Sequence, residues 1–213
     1  MEFGGHHFSF CVMSHIRASL DVVRTGIDFC LNRFGVIAEF DKSIEPLNLG
    51  SVYVDRPPAG SVHRIVLVAY APMASTDSTV VVVNLEDGWS SLIQCVSSRV
   101  SGEHLLLQLG SSVMTYPRVA FERFVGGRLE RTVAVWKEED RWQFWNEGQV
   151  QNWENTEAYR NRSIKSRLTC DALIAGLKSI SIDIESDEFW TANGKAHYWR
   201  RKQLRMPERK REY

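Results

Sequence analysis

Apolar residues recur along this chain at two periods, and the switches between them predict its elements. Residues 7–13 (HFSFCVM) are rich in aromatic and apolar groups and predict a short strand. Ile16, Leu20, Val23, Ile27, Leu31 and Phe34 then fall at spacings of four and three, which puts them on one face of a helix. Ser14 is the expected cap and Gly35 the expected stop. Arg17 with Asp21, and Arg24 with Asp28, are opposite charges four apart on another face. The apolar stripe is what core packing requires, and residues 36–40 read as a returning strand. Pro46, Pro57, Pro58 and Gly60 mark 41–60 as a connection, with a brief strand at 51–54.

Residues 63–70 (HRIVLVAY) and 79–85 (TVVVVNL) are apolar without alternation. Such runs predict strands covered on both faces, in the middle of a sheet. The intervening MASTDS is a polar turn. Asp87 then caps a helix carrying Trp89, Leu92, Ile93, Val96 and Val100, Gly102 ends it, and 104–109 (HLLLQL) is the next strand. This repeats the order of the first forty residues and suggests two similar halves. Residues 116–125, 129–137 and 141–145 predict a three-stranded meander, turned first by Gly126-Gly127 and then by Glu138, Glu139 and Asp140. In its middle strand Val133 and Val135 share one face, and Thr132, Ala134 and Trp136 share the other. A helix is expected from Asn155 or Thr156 through Leu168, and another capped by Thr169 with Leu173, Ile174 and Leu177 inward. Asn193-Gly194 predicts a hairpin turn, with a helix from Lys195 as the competing reading.

The expected fold is therefore α+β: a mainly antiparallel sheet with two principal packed helices and a helical C-terminal region. Residues 1–190 are read as a single domain and 191–213 as a basic C-terminal tail or hairpin extension. From Lys195 to Tyr213 there are eight basic and two acidic residues, a net of +6. Over the whole chain 26 basic residues balance 26 acidic ones, so nothing favours nucleic acid or an anionic membrane at long range. Cys11, Cys30, Cys95 and Cys170 form no C-x-x-C pair and read as reduced thiols. No apolar run approaches the ~20 residues of a membrane span, and the start of the chain does not resemble a secretion signal. A soluble cytoplasmic protein is expected.

Phosphate-cradling, dinucleotide-binding, H-E-x-x-H and G-x-S-x-G motifs are all absent, and the histidines are isolated apart from the adjacent His6 and His7. These absences argue for a non-enzymatic protein without a cofactor or metal. Two surfaces remain as candidates. The acidic turns Glu86-Asp87 and Glu138-Glu139-Asp140, beside Trp142 and Trp145, suit a partner-binding surface: acidic groups imitate an anionic ligand, and tryptophan supplies an apolar anchor. Arg160, Arg162, Lys165 and Arg167 suit anion binding, which gives the rival reading of a phosphate- or nucleotide-binding enzyme. Nucleic-acid binding through the C-terminal tail is a third, less favoured reading.

W-x-F-W-x-x-G at 142–148, W-E at 153–154 and Y-R-x-R-x-I-K-x-R-L at 159–168 together resemble a block in small uncharacterised bacterial proteins of the immunity-protein kind, which neutralise interbacterial toxins. The resemblance spans about residues 87–190. It implies a protein partner, a toxin or effector domain, held by occlusion of its active site, and it implies no catalytic residues.

Overall fold

The computed structural model describes residues 2–3, 5–7, 10–53, 65–110 and 117–202. In chain order its elements are β1 (Glu2–Phe3), β2 (His6–His7), β3 (Phe10–Ile16), α1 (Leu20–Arg33), β4 (Phe40–Glu45), α2 (Leu49–Tyr53), β5 (Val66–Tyr70), β6 (Thr79–Val83), α3 (Ser90–Ser97), β7 (Glu103–Gly110), β8 (Arg118–Val125), β9 (Arg128–Glu138), β10 (Arg141–Gly148), α4 (Cys170–Ser179) and β11 (Ala196–Arg201). β1 and β2 form a small separate ladder. The other nine strands make one sheet in the order β10-β9-β8-β7-β3-β6-β5-β11-β4, with every neighbouring pair antiparallel. The chain is thus α+β.

The runs without alternation lie in the sheet interior. β3 and β6 are buried along their whole length, β7 from His104 and β5 from Leu67 onward. Cys11 and Met13 of β3 face one core; Val12 and Ile16 face the other. α1 and α3 close the second core with Val23, Ile27, Leu31, Leu92, Ile93 and Val96. α4 and the following segment close the first with Leu173, Leu177, Ile182, Phe189 and Trp190. Fully burying each large aliphatic side chain contributes about 1.5–3 kcal/mol, so the two cores oblige the sheet to carry helices on both faces.

Several expectations are corrected. Ile16 and Ser14 belong to β3, because Ile16 still pairs with Thr79 and His104; the first helix begins four residues later, after Ser19. Arg17 accordingly pairs with Glu103 at 3.5 Å, Arg24 with Asp21 at 3.7 Å, and Asp28 with Lys42 at 2.9 Å. The returning strand starts only at Phe40, after a 3-10 turn at Ile37–Glu39, and α2 replaces the brief strand expected at 51–54. β4 lies at the far edge while β7 lies beside β3, so the two strand-helix-strand units are not similar halves.

The helix expected through Leu168 is absent from 155–168; only two 3-10 turns form, Ala158–Arg160 and Ile164–Ser166. Polar side chains there bond the local backbone instead: Asn155 Oδ1 accepts from Ala158 N, Ser166 Oγ donates to Ser163 O, and Asn161 Nδ2 donates to Ser166 O. Thr169 does cap α4, its hydroxyl accepting from Ala172 N at 3.2 Å.

Residues 196–201, expected in a helical region, tail or hairpin, instead form β11 between β5 and β4. Their alternation explains it: Ala196 and Tyr198 face the first core and Trp199 the second, while Arg200 and Arg201 pair with Glu45 and Glu39. The rest of the basic segment, 203–213, lies outside the described residues, as do residues 63–64 of the expected strand.

Candidate partner-binding face

The β8-β9-β10 meander presents two unlike faces. On one, Val119, Phe121, Val133, Val135, Trp142 and Phe144 pack with Trp153, Tyr159, Leu168 and α4. Trp153 lies 4.8 Å from Phe121, and Phe144 lies 5.5 Å from Tyr159, ring centre to ring centre. A buried ion pair fastens this layer. The side chains of Arg131 on β9 and Glu154 are 1% and 0% exposed. Arg131 Nε donates to Glu154 Oε1 at 2.9 Å and its Nη1 donates to the carbonyls of Glu147 and Gly148. Gln151 N and the Tyr159 hydroxyl donate to the same carboxylate. Burial alone would lower the Arg131 guanidinium, but its bonds to Glu154 turn the net shift upward. Burial, then the bond to Glu154, raises the Tyr159 hydroxyl.

Gly148 belongs to the same latch. Its φ is +90°, and a Cβ there would lie 2.0 Å from the carbonyl oxygen of Glu130, a backbone atom with no freedom to yield. Gly148→Ala should therefore destabilise the protein by about 1–3 kcal/mol, read as a lowered urea midpoint. An unchanged midpoint would show that the strand end relaxes freely. The block with the motif-like appearance, Trp142 to Leu168, is thus largely accounted for by packing.

The other face carries Arg118, Glu122, Trp136, Gln143, Trp145 and Glu147 in register, since Arg118 pairs with Trp136, Trp136 with Gln143, and Ala134 with Trp145. α3 packs on β7, β8 and β9. Trp145 is 53% exposed and Glu147 is exposed, whereas Trp136 and Gln143 are half-buried. The Arg118 guanidinium stands 5.8 Å from the centre of the Trp136 ring. Burial lowers it, and the charges of Glu122 and Asp87 oppose that shift. Ser90 Oγ at the start of α3 donates to Glu122 at 3.0 Å, and Asp87 Oδ1 accepts from Trp89 N.

The fold therefore brings Asp87 and Trp145 to one side of the sheet, linked through Arg118 and Trp136. Glu86 is exposed in the same loop as Asp87. Glu138, Glu139 and Asp140 form the exposed turn just beyond Trp136, with Asp140 3.9 Å from Lys137. Trp142 points to the opposite, packed face and leaves the predicted set. Arg118, Glu122, Trp136 and Gln143 were not singled out; the period-two alternation placing Trp136 with Ala134 was the available signal.

Arg160, Arg162, Lys165 and Arg167 share no helix. Arg160 faces Glu157 at 3.9 Å, both largely exposed, and Arg162 and Lys165 are exposed. Arg167 donates to Asn161 O and lies 5.2 Å from the Phe144 ring centre, so it fastens the segment down.

Among the described residues the buried histidines make no hydrogen bond or ion pair with a carboxylate. His104 Nε2 meets Val100 O at 3.1 Å, and His15 stacks on Phe189. A cleft of about 220 Å³ beside α1 holds Arg24, Asp28, Lys42, His197 and Trp199. There Asp28 accepts from Lys42 and from Trp199 Nε1, and no hydrogen bond joins it to His197 among the described residues. Among those residues no three His, Cys, Asp or Glu side chains are grouped to hold a metal ion, and no helix is long and apolar enough to cross a membrane. No protein-family description matches the chain, and neither the curated proteins nor the solved structures contain a significant match to it.

Proposed function

We propose that this is a non-enzymatic binding protein of the immunity kind, which neutralises a protein partner, an interbacterial toxin, by covering its active site. The observation that carries this reading is Trp145, more than half exposed on the open face of the strand that follows the acidic turn. An exposed indole of this size is costly to leave in water and suits the centre of an interface. The open face and its turn carry Glu122, Glu138, Glu139, Asp140 and Glu147, with Asp87 across Arg118, against Arg118 and Arg141. That surplus of acid favours a basic partner, such as a toxin that binds an anionic substrate.

The test is co-expression with the product of an adjacent secreted-effector gene, followed by a measured affinity. Trp145→Ala should weaken the complex by about 30-fold or more, as expected for loss of a hot-spot tryptophan, while the melting temperature changes little. Reversing Glu138, Glu139 and Asp140 to lysine should slow association, most visibly at low salt. A neighbouring effector that is neither bound nor neutralised would sink the reading.

A further inference from the structure

We propose that β10 pairs edge to edge with β10 of a second copy of this chain, extending the sheet across a two-fold axis. The inference is separate from the partner reading above and concerns the protein alone.

β10 ends the sheet: β9 lies on one side, and no strand pairs with its other side among the described residues. It is eight residues long, contains no proline, and has five exposed and three half-buried residues. Native proteins normally blunt such an edge with proline, a bulge, a cover or charges, because its free N–H and C=O groups are a template for another strand. The charges on β10 are Arg141 near one end and Glu147 near the other. Neither side chain makes an ion pair among the described residues. Within one copy they are six positions apart, about 20 Å along a strand, and do not meet.

In an antiparallel pair of identical strands they do meet. A two-fold axis normal to the sheet leaves each side chain on its own face, so directly opposed residues must be of the same face. With Phe144 opposite Phe144, Trp142 opposes Asn146, Gln143 opposes Trp145, and Arg141 opposes Glu147, twice by symmetry. Moving the centre to Trp145 sets Glu147 against Gln143 and loses both ion pairs. Moving it to Gln143 sets Arg141 against Trp145 and loses them again. The charges thus select one register of a self-complementary edge. In that register Gln143 of one copy lies beside Trp145 of the other, and both open faces lie on one side of the joined sheet.

Sedimentation velocity on the full chain over a wide concentration range tests this. The expected result is a reversible dimer. Arg141→Glu places two acidic side chains opposite each other at both ends of the contact, and Glu147→Arg does the same with basic ones. Each should weaken the dimer by about tenfold or more. The double variant Arg141→Glu/Glu147→Arg restores opposite charges and should dimerise again. Both substitutions are at exposed positions, and a thermal melt confirms that each variant is folded. A monomer at every concentration, or a dimer indifferent to both single reversals, would overturn the proposal. No other protein enters the assay, so its outcome is independent of whether a toxin partner is found.

Discussion

Arg131→Met is expected to destabilise the protein by about 3–5 kcal/mol, because it strands the Glu154 carboxylate inside the protein without its cation. The Arg131 side chain is 1% exposed and that of Glu154 is 0% exposed, so water does not replace the lost guanidinium. Gln151 N and the Tyr159 hydroxyl still donate to Glu154, but two dipoles do not offset a buried charge. The carbonyls of Glu147 and Gly148 lose their donor in the same step. For a chain of this length the loss corresponds to a fall in melting temperature of roughly 10 °C. Residues 149–168 hold little regular structure and are tied to β9 through this pair, so they should become the first site of limited proteolysis. Arg131→Met/Glu154→Leu should recover part of the loss, since an apolar pair removes the buried charge as well as its partner. A single variant within 1 kcal/mol of the wild type would show that Glu154 finds water or a proton without cost.

The elements most legible in the sequence were those where one period dominates. The all-apolar runs of β5, β6 and β7, and the Gly126-Gly127 turn between β8 and β9, needed only local physics. Ile16 shows where local physics stops. It continues the helical spacing of Leu20 and Val23, yet pairing with Thr79 and His104, both distant in the chain, holds it in a strand. β11 is the same lesson in reverse. Its first four residues, AHYW, send side chains to both cores, but the arginines and Asn193-Gly194 suggest a tail, a hairpin or a helix from Lys195. The acids that neutralise Arg200 and Arg201 are Glu45 and Glu39, more than 150 residues away. The candidate face divided likewise. Trp145 and Trp142 have the same composition around them, and only the register of β10 on β9 sends one to solvent and the other to the core. The acidic turn was legible because a two-strand connection with three consecutive acids has nowhere to go but outward.

Acid should weaken the fold well before the carboxylates titrate, and the cause lies in two histidines. Burial, aided by the Arg17 charge and opposed by Glu103, lowers His15 to about 4; burial lowers His104 to about 4, against its bond to Val100 O. Both side chains are buried, and each leaves Nδ1 without a hydrogen-bond partner among the described residues, so neither site is built for an imidazolium. The ordinary histidine value is about 6.5 in the unfolded chain. Between these values the unfolded state binds more protons than the folded one, so stability falls as pH falls. It is fully present above pH ~6.5, declines from there, and the loss levels off once pH passes the folded value near 4. At pH 5 each histidine should cost about 2 kcal/mol, or about 4 kcal/mol together, at ~1.4 kcal/mol per pH unit. Urea unfolding at pH 7.5, 6 and 5 would read the decline as a falling midpoint. His104→Gln keeps a donor for Val100 O and removes one titration, so it should roughly halve the slope over this range while leaving the pH 7.5 value lower by the cost of repacking alone. A midpoint that stays level from pH 7.5 to 5 would mean that the two imidazoles gain their protons in the folded protein as readily as in water, and that their sites open to solvent on the timescale of the measurement.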